Sequence, residues 1–375
     1  MGARPATVVI SGYYGFGNSG DEAVLQSIVI ALRDEADKLG FKIEPIVLSN
    51  DPAETSRMYG VRAVHRLKPH HLLRAIWKCD GVISGGGSLL QDVTGIGSIP
   101  YYLAVVGMAQ WLGKPTFVYS QGIGPVNRKS FYPWIRRVLG RCRYLSVRDE
   151  ESAELLERMR IERGRIHVVP DPVMGLPLRG ARALEGGGSE ERPLIGVSVR
   201  FWNEDRSELD GLAAALADIR ARRDVRIRFL PFHLPSDAEA SRYVIGRMGL
   251  PADDKNVEIV ENAAHPQDML AEVGACRLLV GMRLHSLIYA ASQLVPMIGI
   301  SYDPKIDQFL RRLRMTAAAS TSRFSREAVV AEALKLLDAP DEWRRDKRQA
   351  IEALRRQAQE PARQIVSFFR QQRGT

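Results

Sequence analysis

Cysteine is scarce in this 375-residue chain: Cys79, Cys142 and Cys276 are an odd number at wide spacing. That excludes a disulfide framework and the paired thiolate spacings that hold zinc, and a reducing compartment is the expectation. Long apolar runs are also missing. The longest, over residues 101–112, contains Gly107 and Gln110 and falls well short of the ~20 residues that span a bilayer. The opening MGARPATVVISGYYG passes directly into an expected strand with no apolar signal core, and Ala6 breaks the myristoylation pattern. A cytoplasmic protein is therefore expected. Aromatic residues make up only 7% of the chain. No zinc-finger spacing, ribonucleoprotein-type aromatic motif or basic run interleaved with aromatics occurs, which argues against a nucleic-acid partner. No grouping of His, Cys, Asp and Glu has the spacing of metal ligands, so neither a metal nor another cofactor is expected.

Acidic residues are the minority charge. Lys and Arg number 53 against 44 Asp and Glu, giving a net charge of +9 and a sequence pI near 9.6. Such a balance favours anionic partners, among them phosphorylated metabolites and the acidic face of a membrane. The Arg- and Lys-rich tail over residues 343–373 is the expected place for peripheral contact with anionic lipid at the inner membrane face.

The length exceeds what one growing core accommodates, so two domains of about 150–200 residues are expected. Short apolar runs at 7–11, 43–49, 81–84, 116–120, 145–147 and 167–169 read as strands. Helical periods at 22–39, 101–112, 131–141 and 150–159 separate them. A glycine-rich stretch of mixed charge, RGARALEGGGSEER at 179–192, has the composition of a connector. A second series follows, with strands at 194–199, 226–232, 257–259, 278–280 and 297–300 and helices at 209–220, 238–248, 266–275 and 284–292. Charged helices are expected at 326–337 and, unbroken, at 341–370. The reading is an α/β protein of two doubly wound Rossmann-like domains facing a cleft, a GT-B-like arrangement. It has a first domain over 1–178, a linker over 179–192, a second domain over 193–337 and a helical tail over 338–375 that returns to the first domain.

Parallel sheets bind ligands at the C-terminal ends of their strands, and the unusual residues fall there. LLVGMRLHSLIYAA, at 278–291, runs an apolar strand into Gly281 and then sets Arg283, Leu284 and His285 at the start of an apolar helix. Orphan N–H groups and the positive end of the dipole gather at such a start. A guanidinium fork and an imidazole beside them suit an anionic substrate that needs proton transfer. The next strand ends in SYDPK, which adds Asp303 and Lys305, and another ends in Phe232 and His233, a secondary candidate. In the first half, SGYYGFGNSGDE at 11–22 offers Gly15, Gly17 and Gly20 for close backbone approach and Asn18 or Ser19 as a helix cap. Its Asp21 is either part of the cap or an acid that meets sugar hydroxyls or acts as a base. SGGGSLLQD at 84–92, with Gly86 and Gly87, suits an anion- or sugar-binding nest. QGIGP follows a further strand, and SVRDE places the fork of Arg148 between a strand and a helix; Arg200, after the strand at 194–199, is suited to the same role.

Taken in order over residues 7–310, GYYGFGNSGDEA, ISGGGSLLQD, YSQGIGPV, SVRDEES, PDPV, VGMRLHSLIYAA and SYDPKIDQFL resemble the polysaccharide pyruvyl transferase family, most closely its CsaB type. The resemblance implies a GT-B-like fold, no required metal, and movement of the enolpyruvyl unit of phosphoenolpyruvate onto a sugar with release of phosphate. For the CsaB type it implies a pyruvate ketal on N-acetylmannosamine of a lipid-linked precursor of a secondary cell wall polymer. Carried over residue by residue, it implies that Arg148 and Arg283 bind the donor, that Lys305 is a functional lysine and that His285 is catalytic; Leu284, at the helix start, and Lys305 are expected to complete the donor site. Asp21 becomes the acid of the glycine-rich loop; the loops themselves make Gly17, Asn18, Gly86 and Gly87 the expected acceptor-side residues. The alternative, a glycosyltransferase with a nucleotide-sugar donor, shares the fold and the basic donor site. It needs an acidic ribose contact after the phosphate-binding helix, for which Asp303 is a poor substitute.

Overall fold

Val8, Val9 and Ile10 lie in a strand, β1 (Ala6–Ser11), that is buried at every position, the mark of a central parallel strand covered on both faces. The structure is a computed structural model. It describes residues 4–374 apart from 94, 180–191, 252–253 and 264, so the expected connector lies outside the described residues except at its ends.

Around β1 are β2 (Ile43–Ser49), β3 (Arg62–His65), β4 (Gly81–Ser84), β5 (Gly87–Leu90), β6 (Thr116–Ile123), β7 (Tyr144–Val147) and β8 (Ile166–Val168). They pair in the order β3-β2-β1-β4-β6-β7-β8, with β5 on β6, and all pairs are parallel. The second sheet holds β9 (Leu194–Ser198), β10 (Arg226–Phe229), β11 (Val257–Ile259), β12 (Leu278–Gly281), β13 (Met297–Ser301) and β14 (Ala319–Ser320), in the order β11-β10-β9-β12-β13-β14. Strand order reverses between β1 and β4 in the first sheet and between β9 and β12 in the second. At such switch points the flanking loops diverge and leave room for a ligand.

The chain divides into two compact units, one running to Leu176 and resuming at Leu354, the other spanning Pro177–Ala353. Residues 338–353, read from sequence as part of the tail, thus fold with the second unit. Trp343 is buried there, and Arg344 Nε donates to the Leu294 carbonyl at 3.3 Å. The expected single helix over 341–370 is two, Pro340–Ala358 and Glu360–Gln372. Pro361 has no N–H to continue the ladder and its ring crowds the preceding turn, so the helix restarts with proline near its beginning. The last helix packs on the first unit. Phe368 and Phe369 place their rings 5.3 and 5.6 Å from Phe117 of β6, and Arg373 meets Asp80 at 3.0 Å.

Sequence periodicity missed residues 51–80 altogether. They form the helix Pro52–Tyr59, β3 and the helix Pro69–Lys78. The loop expected at 84–92 is partly strand, because Gly87–Leu90 pairs with β6 and satisfies its backbone there. Among the described residues no helix is long and apolar enough to cross a membrane.

Candidate active site

In the first unit, Asn18 is the cap of the helix Ser19–Lys38, its Oδ1 accepting from Gly20 N at 3.0 Å. Asp21 is therefore not the cap. Its Oδ1 stands 3.0 Å from where a side chain on Gly87 would begin, and Gly87 has φ +89°, so the backbone favours glycine there and any side chain would crowd the carboxylate. Gly17 also has a left-handed φ, +69°, but faces open space. Gly86 is different: a Cβ there would meet Val24 at 2.8 Å, so this glycine serves close packing. Beside the loop, buried Glu22 accepts from Gly15 N at 2.7 Å and from the Tyr59 hydroxyl at 2.8 Å, and burial holds its pKa up. Burial first, and the charge of Asp21 next, push the Tyr14 hydroxyl well above its ordinary value.

Arg148 collects the remaining motifs of this unit on one buried guanidinium. Its Nη2 donates to Ser88 Oγ at 2.8 Å, its Nε lies 3.4 Å from Asp149 and its Nη1 3.7 Å from Asp171. SGGGS, SVRDE and PDPV thus meet at one side chain, and the fourth, QGIGP, lies beneath it. A Cβ on Gly122 would fall 2.9 Å from Nη2 and 3.0 Å from Cζ. Because the guanidinium is held on three sides, Gly122→Ala should displace it by a fraction of an ångström without straining the backbone. Misplacement on that scale costs up to about 10²-fold in kcat/KM. Steady-state kinetics with a melting curve checks this; a folded variant of unchanged kcat/KM removes Arg148 from the site.

In the second unit the switch point between β9 and β12 gathers the cations. Gly281 ends β12 with no room for a side chain, since a Cβ would meet Ser286 Oγ at 2.6 Å. The helix Leu284–Ser292 starts directly against the strand, with Arg283 as its N-cap residue and half-buried His285 in its first turn. Arg283 does not hang into solvent. Its Nε donates to Asp237 Oδ2 at 3.0 Å and its Nη2 to Asp237 Oδ1, a bidentate pair on a fully buried carboxylate. Asp237 also accepts the backbone N–H groups of Phe232 and His233, at 3.1 and 3.0 Å. Arg283 Nη1 has no hydrogen-bond partner among the described residues, so one edge of the fork is clamped and the other remains for a ligand. Arg200, after β9, lies over the Tyr302 ring at 4.9 Å and the Trp202 ring at 5.2 Å, and its Nη1 donates to the Tyr302 hydroxyl at 3.1 Å. After β13, Lys305 Nζ folds onto Asp303 at 2.9 Å while Asp303 caps the helix Pro304–Arg312 through Lys305 N. His233 makes a local contact, Nδ1 to Ser236 Oγ at 3.3 Å. Among the described residues no three His, Cys, Asp or Glu side chains converge as metal ligands.

A family model described as polysaccharide pyruvyl transferase matches residues 18–304, which include the switch point of the second sheet and the β4 side of the first. The chain belongs to that family. Its transferase fold is of the GT-B type shared with sugar-nucleotide enzymes. It is similar to a putative UDP-N-acetylglucosamine 2-epimerase from Listeria monocytogenes at 15% identity and TM-score 0.63, covering 92% of this chain and 91% of that one. The UDP-GlcNAc 2-epimerase of Neisseria meningitidis, solved with UDP-GlcNAc bound, gives 10% identity and TM-score 0.64, covering 96% and 100%. A glycosyltransferase from Rickettsia africae gives 11% and 0.63, covering 98% and 99%. At such identities the likeness concerns the fold alone.

For this pyruvyl transferase family member, sequence reasoning missed Asp237, Tyr302 and Trp202, which fix the two arginines of the second unit, and Ser88 and Asp171, which fix Arg148. Asp171 lies in PDPV and Tyr302 in SYDPK, motifs already singled out. Asp237 carries no comparable signal, because an Asp just inside a helix start reads as ordinary dipole compensation.

Proposed function

We propose that this protein transfers the enolpyruvyl unit of phosphoenolpyruvate to two hydroxyls of one sugar, releasing phosphate and leaving a pyruvate ketal, with N-acetylmannosamine of a lipid-linked cell-wall polymer precursor as the acceptor. The observation that carries this reading is the convergence of Arg200, Arg283, His285 and Lys305 on neighbouring strand ends of one sheet, in a member of this family. Three cations suit a trianionic donor. Arg283 Nη1, the N–H groups opening the helix Leu284–Ser292 and Lys305 hold its carboxylate and phosphate, with Arg200 as the second guanidinium of this unit.

The chemistry asks for four changes. The methylene carbon of the donor takes a proton, which makes the neighbouring carbon electrophilic. A sugar hydroxyl oxygen bonds to that carbon and gives up its proton. The carbon–oxygen bond to phosphate breaks with its electron pair going to phosphate, and a second hydroxyl closes the ketal, losing its own proton. His285 moves protons, a role suited to an imidazole near neutral pH. On the first unit Asp21 orients or deprotonates the acceptor hydroxyl, with Gly17, Asn18 and Gly87 shaping the surface around it and Arg148 supplying a fixed positive charge.

This reading gives no metal ion a role. Phosphate release from phosphoenolpyruvate in the presence of a saccharide acceptor, followed by mass spectrometry of the acceptor for the added pyruvyl group, is the test. Turnover is expected to survive a chelator. A product formed from UDP-GlcNAc and none from phosphoenolpyruvate would overturn the reading in favour of a nucleotide-sugar donor.

A further inference from the structure

Three of the five tryptophans lie exposed on neighbouring helices of the first unit: Trp77, 66% exposed, on Pro69–Lys78; Trp111, 84% exposed, on Ser98–Trp111; and Trp134, 39% exposed, on Tyr132–Leu139. The helices are tied together. Lys114, just past Trp111, donates from Nζ to the Cys79 carbonyl at 2.7 Å, and Gln110 donates to the Val138 carbonyl at 2.8 Å. Leu73 is exposed beside Trp77, and Leu73, Trp77 and Leu112 line a shallow apolar depression with His70 and Arg74. Ala75 and Ile76 of the first helix point into the core, so its apolar outer face is not a misplaced core face.

The charge on these helices is one-sided. Pro69–Lys78, Ser98–Trp111 and Tyr132–Leu139 carry Arg74, Lys78, Arg136 and Arg137 and no Asp or Glu. On the helix Pro69–Lys78 itself, with the residue before it, Lys68, His70, His71, Arg74 and Lys78 alternate with Leu73 and Trp77. The tail, by contrast, pairs many of its cations: Arg344 with Asp341, Lys347 with Asp346, Arg363 with Glu35 and Glu360, and Arg373 with Asp80. Tryptophan has an apolar ring and a polar N–H and is at home at the headgroup level of a bilayer, and unpaired cations beside it meet anionic headgroups.

The geometry points to this three-helix face of the first unit, not the tail, as a docking surface for an anionic phospholipid bilayer, with the indoles of Trp77 and Trp111 inserted at the interface and Lys68, Arg74 and Lys78 on the headgroups. The inference does not depend on the proposed activity. A partner protein with an acidic, apolar surface would satisfy the charge, and a second copy of this basic face would not.

The test is co-sedimentation of the full chain with vesicles of phosphatidylglycerol and phosphatidylcholine, and with phosphatidylcholine vesicles alone. Binding to the anionic vesicles, a blue shift of tryptophan emission, and release at about 1 M salt, where charges are screened within about 3 Å, are expected. Lys68→Gln with Arg74→Gln should weaken binding roughly thirtyfold. Trp77→Ala with Trp111→Ala should abolish the blue shift, and these exposed positions leave the melting temperature in place. Absence of binding at low salt, equal binding to neutral vesicles, tail-charge variants that lose binding while the helix variants keep it, or dimers that Trp77→Ala dissociates would each overturn the inference.

Discussion

His285→Ala should lower turnover by about 10²–10⁴-fold, the contribution of a positioned general acid or base, and leave the fold intact. The two halves of that expectation come from one position. His285 is half-buried in the first turn of Leu284–Ser292, whereas the packing of that helix rests on Leu284, Leu287, Ile288 and Tyr289, all buried. Alanine is a good helix former and removes no core contact of that size. His285→Gln gives the control, because an amide keeps hydrogen-bonding capacity and moves no proton at neutral pH. If the imidazole transfers protons, both variants lose kcat while the apparent affinity for phosphoenolpyruvate changes little. Single-turnover phosphate release and a melting curve check this together. A folded variant that keeps turnover within about twofold takes His285 out of the chemistry.

What the sequence disclosed and what it withheld follow one physical line. Strand and helix existence came from periodicity, and switch-point loops announced themselves because tight turns need glycine: Gly87 has φ +89° and Gly17 +69°. Gly122 and Gly281 were visible as glycines in motifs. That a guanidinium lies over one and a serine hydroxyl over the other depends on long-range packing that no local pattern records. The stretch 51–80 was missed because its elements are short, none longer than ten residues, which leaves each window too brief for a period to stand out. Arg283 was legible as a candidate and its clamp was not. A pair 46 residues apart on two different helices leaves no spacing to find. The same holds for Arg148, whose partner Asp149 is its neighbour in sequence while Ser88 is 60 residues away.

Asp237→Ala should be the most damaging single change to the second unit. The carboxylate holds one edge of Arg283, through Nε and Nη2, and two backbone N–H groups, and it is buried while the guanidinium beside it is largely so. Removing it leaves a desolvated cation without its counter-charge, which typically costs about 3–5 kcal/mol, and two orphaned donors besides. For a unit of this size that corresponds to a fall in Tm on the order of 10 °C. Asp237→Asn separates stability from positioning. The amide preserves volume and one acceptor oxygen but cannot accept from both Nε and Nη2, so Arg283 Nη1 is no longer held where a donor carboxylate or phosphate meets it. If Arg283 binds the donor in its ground state, KM for phosphoenolpyruvate rises about tenfold or more with a smaller change in kcat. Arg283→Lys produces a similar loss, since an ammonium has no fork. Combined, the two substitutions should cost little more than either alone, because each breaks the same arrangement. Measuring KM, kcat and Tm across the four proteins of that cycle decides it. Strictly additive effects, or an Asn variant with unchanged KM, would mean that Asp237 and Arg283 hold the fold together and do not position the donor.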